Sequence, residues 1–207
     1  MKRLTGTAIF MLTGLALAAC GENPGEERAE EQTDASVKIA EADLASARAA
    51  AKELGETLKG RLQAAMGEGG PVAAVDVCQT EAPEIANDIS QRLGVDVART
   101  APRVRNTSNA PDAWEADQLE TFRAAMAAGE DPAKLEAAEI VTLEGQTVLR
   151  WMKPIPMAEM CATCHGSDIA PEVQAAVAEA YPEDAATGFR TGELRGAFTV
   201  TVPVEAR

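Results

Sequence analysis

An α+β domain built on an antiparallel sheet is the fold class the sequence predicts, and two observations carry it. Helical periodicity dominates the first half of the chain, while extended apolar runs bounded by turn residues dominate the second. No internal repeat interrupts this order.

The elements follow in sequence. Between Ala35 and Met66, Val37, Leu44, Ala51, Leu58 and Ala65 recur every seven residues with Ala40, Ala47 and Leu54 between them, which predicts one long N-terminal helix with an apolar stripe. Gly67, Gly69, Gly70 and Pro71 end it. A second helix is expected over Val72 to Leu93, kinked or broken at Pro83. Val75, Cys78, Ala82, Ile85 and Ile89 share one side of that helix, so Cys78 is expected on its buried face. Gly94 stops it, and Val95 to Ala98 alternates as a strand does. Pro111 to Gly129 reads as another helix opened near Asp112. Glu139 to Leu143 and Gln146 to Ile155 flank Glu144-Gly145 as a hairpin. Pro171 to Ala180 is helical again, and Gly196 to Val204 (GAFTVTVPV) is a final strand.

The domain, expected over residues 35–207, is preceded by two segments of other character. Residues 1–19 have a basic start, Lys2-Arg3, then an uncharged apolar stretch from Leu4 to Ala19, and are read as a signal peptide. Leu17-Ala18-Ala19-Cys20 resembles a bacterial lipoprotein cleavage box, which implies cleavage before Cys20, its lipidation, and export to the periplasm-facing cell envelope. The competing reading, an uncleaved spanning anchor, is disfavoured because the apolar stretch is shorter than the roughly 20 residues a membrane helix needs. Residues 20–34, polar and acidic with Gly and Pro, are expected to be a flexible tether.

Charge narrows the partners. The full chain carries 19 Lys and Arg against 33 Asp and Glu, a formal charge of −14. Loss of the leader removes Lys2 and Arg3, giving 17 − 33 = −16. Nucleic acid is therefore not an expected partner, since its phosphates would meet a surface of the same sign. An acidic surface suits steering of a basic protein partner.

The four cysteines carry the chemistry. With Cys20 assigned to lipid, Cys161-Ala162-Thr163-Cys164-His165 contains two more and the chain's only histidine. C-x-x-C-H is the spacing of c-type haem attachment. Two thiols one helical turn apart reach the two vinyl groups on one porphyrin edge, and the next residue presents its imidazole to the iron. His165 is thus the expected proximal ligand of one covalent haem. Three other readings compete. A thioredoxin-like pair belongs at the start of a βαβ unit, and this pair comes late, after a hairpin. A Cys161–Cys164 disulfide would be strained. A Cys₃His zinc site would need Cys78 as its fourth member. For the second axial position the residues leave Cys78, Met157, Met160, a lysine or an open site, and Cys78 can equally be a small buried hydrophobe.

The sequence also resembles a family of exported, PAS-like single-haem c-type proteins. The resemblance lies in Ala74-Val75-Asp76-Val77-Cys78 with Ala82-Pro83-Glu84-Ile85-Ala86, in Arg103-Val104-Arg105-Asn106, and in Pro111-Asp112-Ala113-Trp114-Glu115. It continues through Met152-Lys153-Pro154-Ile155, Cys161 to Gly166, Tyr181-Pro182, Ala186-Thr187-Gly188 and Leu194-Arg195-Gly196-Ala197-Phe198. It implies a PAS-like antiparallel sheet flanked by helices, and haem ligation by the motif histidine and a cysteine that maps onto Cys78. Arg103, Arg105, Lys153 and Arg195 are candidate partners of haem propionates, though surface salt bridges are the expectation for at least two of them. Trp114 and Trp151 are candidates to line the haem, with plain core packing as the simpler reading.

The expected function is one-electron transfer at a membrane-tethered haem, with a separate redox partner. The alternative is a redox or diatomic-gas sensor in which Cys78 is displaced. No output domain follows Arg207, so that role too calls for a separate signalling partner. Catalysis such as peroxide reduction is the least expected, because the sequence offers no second histidine as a distal acid–base group.

Overall fold

The computed structural model describes residues 38–204. The leader 1–19, Cys20 and the tether 20–34 lie outside the described residues. Helix α1 runs from Glu41 to Asp76, and α2 from Ala82 to Leu93. A single π-helical turn, Val77–Glu81, joins them without leaving the helix. The break expected at Gly67 to Pro71 is a kink within α1. Gly70 sits at φ 73°, ψ −170°, a conformation open almost only to glycine, and Pro71 resumes the helix. Beyond α2, ended by left-handed Gly94, come β1 (Asp96–Thr100), α3 (Ala113–Ala127), β2 (Ala137–Leu143) and β3 (Gln146–Pro156). The short α4 (Ala162–His165), α5 (Pro171–Ala180) and β4 (Leu194–Pro203) complete the chain.

The strands form one antiparallel sheet in the order β1-β4-β3-β2. Glu144 and Gly145, both at positive φ, close the β2–β3 hairpin as a two-residue turn. The last strand fills the centre between the first strand and the hairpin, so the sheet closes only when both ends of the domain are present.

Both faces of the sheet are covered. Ala47, Ala50, Ala51 and Leu54 of α1 and Ile89 of α2 pack on Val97, Leu149, Trp151, Val200 and Val202. The alanines of the heptad stripe let the helix lie close to the strands. On the other face, Leu119 and Phe122 of α3 meet Met152, Leu194 and Ala197. Asp112 caps α3 through the Glu115 amide, and the Glu115 carboxylate returns a bond to the Asp112 amide. Both acids also pair with the buried Arg150, which stacks on Trp114. This mixed α+β fold, a four-stranded antiparallel sheet with flanking helices and a long N-terminal helix, is the predicted class. Among the described residues no helix is long and apolar enough to cross a membrane.

Candidate functional site

The π-helical turn exists because of Pro83. Proline has no amide hydrogen and its ring collides with the carbonyl four residues back. Widening the turn lets the Ala82 amide reach the Val77 carbonyl instead of the one nearer to it. Thr80 Oγ1 donates to the Asp76 carbonyl at 2.9 Å, and Gln79 Nε2 donates to the Ala180 carbonyl at 3.1 Å, tying the turn to the end of α5. Cys78 sits on this turn, half-buried rather than fully inside.

Cys161, Cys164 and His165 are carried by a separate segment, after β3. A 3-10 turn over Glu159–Cys161 passes directly into α4, so the two cysteines are one turn apart, both as free thiols. The segment from Asp184 to Phe189 acts as a strap beneath them. Amides of Gly188 and Phe189 donate to the carbonyls of Gly166 and His165 at 2.8 and 3.0 Å. Arg105 donates to the Cys164 carbonyl at 2.6 Å and pairs with Asp184, and both side chains are nearly buried. Asp184 in turn accepts from the Ala186 amide at 2.8 Å. Gly166 is required by close approach, because a Cβ there would lie 2.6 Å from the Ala162 carbonyl oxygen.

The His165 ring is prepared for ligation. Its Nδ1 lies 2.7 Å from the Ala186 carbonyl, an atom that can only accept, so Nδ1 carries the proton and Nε2 keeps its lone pair. Burial, reinforced by the guanidiniums of Arg195 and Arg105, pushes its pKa down to about 3, so the ring is neutral at physiological pH. Cys164 packs against Val75, Val173, Val177 and Tyr181, and Cys161 against Met157, Ala186 and Phe189. Burial raises the pKa of Cys164, partly offset by Arg105. Cys78 acts electrostatically on Cys164, Tyr181 and Arg99, which places it in the same neighbourhood. Burial and Cys78 together push the Tyr181 phenol up to about 12.

Residues 25–203 match the sequence profile of the family described as Tll0287-like. The chain belongs to the Tll0287-like family. Among solved structures, the crystal structure of the cyanobacterial haem-protein Tll0287 has a similar fold, with a TM-score of 0.61 and 22% identity over 82% of this chain and 99% of that one. No curated protein matches the chain.

In this Tll0287-like chain the donor set suits a macrocycle better than a bare ion. Among the described residues no three His, Cys, Asp or Glu side chains converge as a metal cage requires, so a Cys₃His zinc site is not assembled. Haem needs axial donors rather than a cage of side chains, and His165 Nε2 keeps a lone pair for such a role. The other sequence candidates divide. Arg103 stacks on Phe189 at 3.7 Å and donates to the Thr187 carbonyl, and Arg195 lies 5.2 Å from the same ring. Lys153 is elsewhere, donating to the carbonyls of Ala133 and Leu135. The surface salt bridges expected for at least two of the four cations are absent among the described residues: only Arg105 pairs with a carboxylate, and that pair is buried. Arg103 and Lys153 instead spend their donors on backbone carbonyls. Trp151 is core and Trp114 serves Arg150, so neither joins the motif. Met157 is buried beside Cys161, and Met160 is half-buried.

Two residues of the site escaped the sequence reading. Arg99 lies past the expected end of its strand, and its only signal was alternation with Val97. Nothing in the sequence distinguishes Asp184 from the acids around it. Two clefts, of about 240 Å³ over α3 and the sheet and about 560 Å³ between α1 and the sheet, are lined by neither Cys78 nor the motif.

Proposed function

We propose that this chain carries one covalent c-type haem, attached through Cys161 and Cys164, with His165 and Cys78 as axial ligands, and that it exchanges one electron there. The observation that carries the reading is the His165 ring: neutral, oriented by the Ala186 carbonyl, and one residue beyond two free thiols a helical turn apart. Membership of the Tll0287-like family supports it, since the namesake is described as a haem-protein. When bound, haem supplies a one-electron iron couple. The protein fixes the imidazole tautomer and holds the thiols against two apolar clusters, and Cys78 would come from the π-helical turn. A thiolate ligand favours ferric iron and keeps the potential below that of His/Met ligation.

Haem should survive acid–acetone extraction from the purified protein, and a Cys161→Ser, Cys164→Ser double variant should lose covalent attachment. Cys78→Ala should retain the haem but shift the ferric spectrum and raise the potential. Extractable haem in the parent overturns the attachment, and an unchanged spectrum in Cys78→Ala overturns the ligand.

A lipid anchor at Cys20 and a periplasm-facing location belong to the same proposal and rest on Leu17 to Cys20 alone. Cys20→Ser should release the protein from membranes or block processing. Intact mass without acyl groups on a processed parent chain contradicts the anchor.

A second reading, a redox or gas sensor acting on a separate partner, is favoured by one observation. Cys78 is held on a π-helical turn between two helices, an irregularity frequent at functional sites. Ready formation of a CO or NO adduct with loss of the Cys78 bond supports sensing, and the lack of any adduct supports electron transfer.

A further inference from the structure

We infer that Arg195 is aimed by a β-bulge to bind a carboxylate beside the motif, and that this carboxylate is a propionate of the haem. The inference rests on the haem reading above. The register of β3 with β4 runs Pro154↔Ala197, Ile155↔Gly196, then Pro156↔Leu194. Arg195 is therefore the extra residue, left without a partner across the ladder. Bulges of this kind turn a side chain out of the regular alternation and recur next to active sites. The neighbour makes the distortion possible: a Cβ at position 196 would lie 2.5 Å from the Thr100 carbonyl oxygen, so only glycine lets β4 pass that close to β1.

The bulge delivers a guanidinium with little to hold. Arg195 Nη1 makes one long hydrogen bond, 3.4 Å to the Arg103 carbonyl, and its buried Nε has no partner. A guanidinium brings five donors in a planar fork suited to a carboxylate. Its electrostatic neighbours are Arg105, Arg99, Asp184 and Cys161, and it acts on His165 in turn. The one carboxylate among them, Asp184, is already bonded to Arg105. Burial and the two arginines push Arg195 down to about 10, against the ordinary 12.5, which is the mark of a cation lacking its anion. Three guanidiniums and one committed carboxylate leave positive charge uncompensated next to Cys161 and His165. Haem held at those residues would bring two carboxylates of its own.

The test uses holoprotein, with potentiometry and resonance Raman spectra of the propionate bending band. Arg195→Gln removes the cation, so at a fixed applied potential the ratio of reduced to oxidised haem should fall about tenfold, or about 59 mV for one electron. Its propionate band should shift. Arg195→Lys keeps the charge but loses the fork, so the ratio should stay within about twofold while the band still shifts. Arg190→Gln, which removes an exposed arginine paired with Glu193, should change neither. A parent-like ratio and band in Arg195→Gln overturn the inference with the haem reading intact. Where Arg195→Gln yields no folded holoprotein, an unshifted band in Arg195→Lys overturns it equally. A parent chain without covalent haem defeats the proposed function itself.

Discussion

His165 meets its surroundings through Nδ1, bonded to the Ala186 carbonyl, and through burial, and both favour the neutral ring. In the unfolded chain the imidazole takes a proton near its ordinary 6.5, and in the fold only near 3. Between those values the unfolded chain holds the extra proton, so the stability of the haem-free chain rises with pH there. The contribution is complete above about 6.5 and is lost as pH falls toward about 3. Denaturant midpoints of the haem-free chain should therefore fall between pH 7 and pH 4, and His165→Gln should flatten that slope. An equal slope in the variant assigns the acid sensitivity to other groups. The motif itself was readable because its residues are contiguous and their spacing states the chemistry. Arg99 and Asp184 were not, because each acquires its role only where distant segments cross.

The strap from Asp184 to Phe189 is the element on which α4 rests, and the Arg105–Asp184 pair fastens it. Both side chains are about nine-tenths buried. Asp184→Asn leaves the guanidinium buried without its anion, an error worth about 3–5 kcal/mol at such sites. Urea denaturation should report a loss of that order, and a loss under about 1 kcal/mol would show the pair to be dispensable. Elements were otherwise legible to different degrees. Turn residues Glu144-Gly145 and the alternation of GAFTVTVPV announced the hairpin and the last strand. The heptad stripe announced α1, although only its Ala47, Ala51 and Leu54 portion is fully buried. The π-helical turn was invisible except as a warning at Pro83, since one added residue per turn leaves no compositional trace. It also explains why Cys78 is half-buried: the wider turn rotates the helix face that a regular period assigns to the core.

At the scale of the whole molecule, charge separates by depth around the motif. From Pro154 to Phe189 the chain contains no lysine or arginine, yet it carries Glu159, Asp168, Glu172, Glu179 and Glu183 at the surface and Asp184 inside. The cations that serve the motif, Arg105 and Arg195, are tucked beneath. A haem seated there would be approached through an anionic field. Reduction by a cationic ruthenium ammine should slow as salt rises from about 0.01 M to 0.1 M, where the screening length shrinks from about 30 to about 10 Å. Reduction by an anionic reagent should accelerate over the same range, and identical salt dependence for both would show that the field does not reach the haem edge.

Cys78 and His165 are far apart along the chain, with α2, most of the sheet and α3 strung between them. Joined to one iron, as proposed, they would make the cofactor a clasp closing a loop of roughly 90 residues. A cross-link of that span removes unfolded-chain freedom worth on the order of 4 kcal/mol in the loop-entropy picture. Breaking the Cys78 bond would then free the polymer as well as the metal. A ligand change at the iron would be felt as a loosening of the whole domain, in its melting temperature and its resistance to proteases.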